Sequence, residues 1–128
     1  MRKKWHFKHM TADSESWTEG LRDIFDYRDL GIKEATGGDY VAHIIRCNGN
    51  TAPDEVQQWH VHKCDFQYVH VLAGTARFEY EGQGVHTLSK GDVVFQPPGI
   101  KHREIEVSDD FEVLEIVSPA DFSTHIVD

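Results

Sequence analysis

Cysteine is scarce in this chain: Cys47 and Cys64 are the two it has. They form no Cys-x-x-Cys pair and are too few for a disulfide framework, so a reduced compartment suits both. Positive charge is short as well, with 13 Lys and Arg against 22 Asp and Glu and a formal net charge of −9. That balance repels a phosphate backbone and an anionic bilayer, so neither nucleic acid nor a membrane surface is an expected partner. No apolar run approaches the length of a membrane span. The basic stretch "MRKKWHFKH" is not followed by the apolar core of a signal peptide. A soluble, cytoplasmic protein is expected. Internal repeats, low-complexity tracts and interdomain linkers are missing too, and 128 residues suit one domain around one core.

Turn residues, by contrast, recur at short intervals: "GG" at Gly37, "NGN" at Asn48, "EGQG" at Glu81, "KGD" at Lys90, "QPPG" at Gln96 and "SDD" at Ser108. Between them lie runs of strand length rich in Val, Ile, Phe and Tyr, such as "YVAHIIRC", "FQYVHVLAG", "DVVFQ" and "FEVLEIVS". This is the pattern of an all-β sandwich or barrel. "ARFEYEGQGVHTL" reads as a hairpin about a glycine-rich turn. A helical spacing occurs in "SESWTEGLRDIF", where Trp17, Leu21, Ile24 and Phe25 fall at i, i+4, i+7 and i+8, although Gly20 interrupts it. "PADF" is expected to open one helical turn, capped by Ser118 before Pro119. Residues 1–30 carry the least regular pattern and are expected to be a flank packed on a barrel formed by 31–128.

The stretch "QWHVHKCDFQYVHVLAG" places three histidines among alternating apolar residues. Residues two apart on a strand share a face, so His60 and His62 point the same way. Alone, such a pair is either two ligands of a divalent metal or two exposed histidines on an edge strand. The wider spacing is more specific. His60-Val61-His62 is followed by four residues and Gln67, then six residues and Gly74; further on, Gly91 is followed by "DVVFQ", Pro97-Pro98-Gly99, two residues, His102, three residues and Glu106. These two segments resemble the two motifs of the cupin superfamily, in order and in a chain of suitable size. Sixteen residues separate Gly74 from Gly91, room for one hairpin, as in small single-domain cupins. The prolines preset φ and the glycines permit tight reversals next to the strands that carry the histidines.

The resemblance implies a double-stranded β-helix, the jelly-roll or cupin barrel, with one divalent transition metal (Fe, Mn, Ni, Zn or Cu) between the motifs. It implies His60, His62, Gln67 and His102 as the ligands. Dioxygenases, isomerases, decarboxylases and lyases are among the activities it implies, as are non-catalytic cupins that bind or sense a small ligand or metal. The family commonly forms homodimers. Two positions depart from its pattern: Gln67 replaces the acidic ligand and Glu106 replaces an asparagine. An amide carbonyl can bind metal but brings no charge, so either Gln67 ligates directly or it orients a water or a histidine. With three imidazoles and an amide, the metal would keep its double charge and favour an anionic or carbonyl-bearing small molecule.

Other residues divide between the site and the scaffold. Glu104 alternates with His102 and is the candidate general base, or is a solvated rim residue if the strand bulges, with Ile105 and Val107 packed opposite. His43 shares a face with Val41 and Ile45 and is expected in the core or behind the ligands. Gln67, Val69 and Val71 are expected to face inward, leaving Phe66, Tyr68, His70 and Leu72 on an outer face covered by a partner. Cys64 and Asp65 are placed in a loop at the cavity mouth. Trp59 is expected to point away from the first ligand, and His6, His9, His86 and His125 are expected at the surface.

Overall fold

In the computed structural model, residues 4–14, 17–19, 25–48 and 58–127 are described. Leu21 and Ile24 of the helical spacing, and Gly49 and Asn50 of the "NGN" turn, lie outside them. The described chain runs β1 (Trp17–Glu19), β2 (Phe25–Asp29), α1 (Ile32–Ala35), β3 (Val41–Cys47), β4 (His60–Lys63), β5 (Phe66–Ala73), β6 (Thr75–Tyr80), β7 (Gly84–Ser89), β8 (Val93–Phe95), β9 (His102–Val107), β10 (Glu112–Ser118) and β11 (Ser123–Ile126). The strands form two antiparallel sheets, one in the order β1-β2-β3-β10-β5-β8 and the other β11-β4-β9-β6-β7. The fold is all-β, a double-stranded β-helix.

Alternation within the strands builds the core. In β5 every second residue is withdrawn from solvent: Gln67 is 2% exposed, Val69 8% and Val71 1%. In β10, Val113 and Val117 face the same interior. Val69, Val71 and Val113 meet Ala76 and Leu88 of the other sheet and Phe111 of the preceding turn, so the core lies between the sheets. Val71 and Val117 are the most completely buried, and each stabilises the fold by about 1.5–3 kcal/mol. The β6–β7 hairpin forms as its sequence indicates, with Tyr80 opposite Gly84.

Two local expectations are corrected. Trp17 and Phe25 belong to strands: β1 pairs with β2, and β2 with β3. The Arg46 guanidinium lies 3.7 Å over the Trp17 ring, a cation–π contact. Trp17–Glu19 and Phe25–Asp29 thus add strands to the sheet itself. The "PADF" segment makes a turn closed by Phe122 N–H to the Pro119 carbonyl, 3.2 Å, and the Ser118 hydroxyl donates to the Asp39 carbonyl at 2.7 Å. Ser118 is thereby spent on β10's neighbour and caps no helix. The short helix α1, which follows a left-handed Gly31, had no visible signal in its four residues.

Gly74, between β5 and β6, has φ 74°, and a Cβ built there would lie 2.7 Å from both the Cα and the backbone nitrogen of Phe111. Gly82 has nearly the same φ, 75°, with open space around it. Gly74→Ala is expected to cost about 3 kcal/mol or more, from backbone strain plus overpacking. Gly82→Ala is expected to cost about 1 kcal/mol, from strain alone. Urea unfolding of both variants checks this; equal losses would mean that the close approach of the Phe111 backbone contributes nothing.

Candidate metal centre

The centre is built where β4 meets β9. His60 lies opposite His102 in that pairing, and His62 follows two residues later on the same face. The ring centroids are 4.3 Å apart for His60–His102, 4.9 Å for His62–His102 and 5.2 Å for His60–His62. One nitrogen from each ring falls within a common span of 4.8 Å, among residues that are largely buried. The "PPG" turn is held against β4 by Gly99 N–H to the His62 carbonyl, 3.4 Å, and by Ile100 N–H to Pro97, 3.2 Å. Residues 97–99 thereby aim the start of β9 at the histidine pair.

Each imidazole is oriented from behind. Nδ1–H of His60 donates to the Gln58 carbonyl at 3.0 Å, and Nδ1–H of His102 to the Ile100 carbonyl at 3.0 Å. A carbonyl only accepts, so these bonds fix the proton on Nδ1 and leave the lone pair on Nε2. Nε2 of His102 is also 3.3 Å from the Gln96 amide nitrogen, the arrangement of an acceptor. Nδ1 of His62 bonds the Thr124 hydroxyl at 2.9 Å. Metal-binding histidines are ordinarily held this way, with the far nitrogen tied to an acceptor. Three imidazoles so held suit a borderline divalent transition metal.

Across the cavity, on the facing sheet, Gln67 projects from β5. Its amide Nε2–H donates to Glu115 Oε2 at 2.8 Å, and the other carboxylate oxygen, Oε1, accepts from His43 Nε2 at 2.6 Å. Burial pushes the Glu115 carboxyl up, but the hydrogen bond and charge of His43, the Gln67 amide and the nearby His62 outweigh it and hold the group below the ordinary range. Glu115 thus accepts from both neighbours. It was missed in the sequence, although its signal was present: it sits between Val113 and Val117 on the inward face of β10, where a carboxylate needs a partner.

Glu104 is buried, 8% exposed, and shares the cavity with His102. The expectation that Val107 packs opposite it is corrected by a bulge in β9. Phe78 pairs with Glu104 and Arg77 with Glu106, so Ile105 has no partner of its own and the facing reverses. Val107 accordingly packs on the core, while Glu106 turns outward to Arg77 at 2.8 Å. The bulge falls after Glu104 and so leaves it inside. Tyr80, also unforeseen, stacks on His102 with centroids 5.8 Å apart. Burial, and then the Glu104 carboxylate, push its phenol far above the ordinary value, so it stays protonated.

The remaining residues fall as follows. His43 faces the cavity behind Gln67, linked through Glu115. His70 lies on the other face of β5 and bonds the Tyr68 hydroxyl at 3.1 Å, away from the three histidines. Trp59 is turned outward beneath Arg103, 5.1 Å from the ring centroid. Cys64 and Asp65 do not line the cavity, and His86 and His125 are exposed. The cavity lined by the three histidines, Gln67, Glu104 and Glu115 measures about 890 Å³.

The family model described as a cupin domain matches residues 49–117, over half of the chain. The chain belongs to the cupin family. No curated protein matches this cupin. Solved structures share its fold at low identity. KdgF from Halomonas sp. superposes with a TM-score of 0.63 at 18% identity, over 88% of this chain and 94% of that one. Salicylate 1,2-dioxygenase from Pseudoaminobacter salicylatoxidans, bound to gentisate, gives 0.63 at 12% identity, over 85% of this cupin and 30% of the dioxygenase. A cupin-superfamily sugar phosphate isomerase from Silicibacter pomeroyi gives 0.61 at 20% identity, over 84% and 68%.

The His43–Glu115 pair is withdrawn from water, with side chains 11% and 13% exposed. His43→Leu strands the carboxylate and is expected to cost about 3 kcal/mol. The double variant His43→Leu/Glu115→Leu should recover most of that loss, because no buried charge remains. Urea denaturation of the single and double variants measures the coupling; strictly additive costs would count against a coupled pair.

Proposed function

We propose that this cupin binds one divalent transition metal through His60, His62 and His102, with the Gln67 carbonyl oxygen as a fourth donor, and is a small-molecule enzyme of dioxygenase-like or isomerase/lyase type. The observation that carries the reading is the convergence of three imidazoles whose Nδ1 atoms are already tied to acceptors or a hydroxyl. Fe, Mn, Ni, Zn and Cu all suit such donors. The bound ion would supply Lewis-acid polarisation or oxygen activation.

The protein's own groups divide the remaining work. Glu104 is the general base, a buried carboxylate two residues from His102 on the cavity face. Tyr80, kept protonated beside it, offers a hydrogen-bond donor. The substrate is a small metabolite, anionic or carbonyl-bearing. The carboxylates of Glu104 and Glu115 offset part of the metal's charge, which favours a carbonyl or a single negative charge over a polyanion. The dioxygenase and the isomerase among the similar structures support an activity of this kind by likeness of fold alone.

The reading includes a cytoplasmic homodimer. Both cysteines are free thiols, and the β5–β8 edge exposes Phe66, Val93 and Phe95, an apolar strip that a second copy would cover.

Protein purified without an affinity tag is expected to carry about one equivalent of divalent metal by elemental analysis, and His62→Ala and His102→Ala almost none. At a hundredfold excess over Kd, metal should stabilise the wild type by about 2.7 kcal/mol and leave His62→Ala unmoved. Equally low metal in wild type and His62→Ala would remove the site. Glu104→Gln should keep the metal and lose about 100-fold or more in turnover. If metal-loaded protein consumes no O₂ and alters no metabolite in an extract, yet retains a small ligand, the alternative of a binding or sensing cupin replaces the enzyme.

A further inference from the structure

We infer that Glu115 is a positioning residue for the metal site: with His43 behind it, it locks the Gln67 side-chain amide so that the carbonyl oxygen, and not the NH₂, is presented to the three histidines. The inference rests on the proposed ligation by Gln67 and adds what makes that ligation possible.

A glutamine amide has two ends of similar shape and opposite character, and only the oxygen binds a cation. A free glutamine beside a metal site samples both ends and loses rotamer entropy on binding. Here the choice is made by chemistry. The atom 2.8 Å from Glu115 Oε2 is the amide NH₂, which donates to that oxygen. With the nitrogen committed to β10, the oxygen is the end left for the cavity that His60, His62 and His102 also line.

Glu115 is itself held from two directions. Oε1 takes the 2.6 Å bond from His43 on β3, and the backbone on either side is paired, with Glu115 opposite His43 in β3 and opposite Val69 in β5. His43 is in turn braced edge-on by the Tyr27 ring, with centroids 5.0 Å apart. The relay His43–Glu115–Gln67 thus crosses three adjacent strands of one sheet and delivers a fixed carbonyl to a site on the other. It also sets a carboxyl acceptor one hydrogen bond behind the amide. That acceptor polarises the N–H donor and makes the carbonyl oxygen a better ligand than an isolated amide.

The test uses Co²⁺ as the probe, because its visible d–d spectrum reports the number and type of donors independently of turnover. Wild type, Gln67→Leu, Glu115→Leu, Glu115→Gln and Glu115→Asp are loaded with one equivalent, and Co²⁺ affinity is measured by titration. Gln67→Leu should change the spectrum. Glu115→Leu should reproduce that change and bind Co²⁺ about 10–100-fold more weakly. Glu115→Gln, whose carbonyl can still accept from the Gln67 NH₂, should keep the wild-type spectrum. Glu115→Asp withdraws the acceptor by one methylene and should shift the spectrum toward that of Gln67→Leu; it decides the matter if the leucine variant does not fold. A wild-type spectrum in both Glu115→Leu and Glu115→Asp, with Gln67→Leu altered, overturns the positioning role and leaves Gln67 as a ligand. A wild-type spectrum in Gln67→Leu overturns ligation by Gln67, and the positioning role with it.

Discussion

The candidate site depends on one registered pair, His60 opposite His102, where β4 meets β9. Neither strand is fixed there by extensive pairing with the other. β4 is held from its other side by β11, with Thr124 opposite His62, and β9 is held by β6, with Tyr80 opposite His102. Those neighbours then reappear in the site: the Thr124 hydroxyl orients His62, and the Tyr80 ring stacks on His102. The strands that fix the register are thus the strands that supply the supporting contacts. A slip of one residue in β4 would turn both of its histidines out of the barrel at once.

The second constraint is electrostatic. Three imidazoles and an amide carry no negative charge, yet besides the exposed Asp29 the cavity has two carboxylates withdrawn from water, Glu104 on β9 and Glu115 on β10, one on each sheet. Neither replaces the acidic residue at the position of Gln67. Glu115 stands one hydrogen bond behind it instead, and so contributes charge without occupying a coordination position. The charge balance of the cavity therefore includes its wall as well as His60, His62, Gln67 and His102.

Much of this was legible in the residues. The strand alternation, the hairpin, the pairing of His60 and His62 on one face, the outward turn of His70 and the inward turn of Gln67 all follow from a period of two. What failed did so where that period is broken or overridden. The bulge in β9 reverses the facing between Glu104 and Glu106, and nothing in "HREIEV" announces an unpaired residue. Trp17 and Phe25 match a helical spacing as well as a strand, and the pairing of β1 with β2 and of β2 with β3 decides between them. Glu115 was hidden for a different reason. A single carboxylate in "FEVLEIVS" reads equally well as a solvated residue until His43 and Gln67, 72 and 48 positions away, are seen to converge on it.

The distribution of polar groups also bears on what can enter the cavity. Its apolar lining includes Val41, Val69 and Val113, while the hydrogen-bonding groups gather at the histidines and at the Gln67–Glu115 relay. A polar substrate group directed at the valines would lose its hydration without compensation. The same group directed at the histidine cluster meets Tyr80 and Glu104 beside His102, and a metal bound there would add an electrophile. Within about 890 Å³ the places where a ligand's lost hydration could be replaced are thus the histidine cluster and, across the cavity, the Gln67–Glu115 relay.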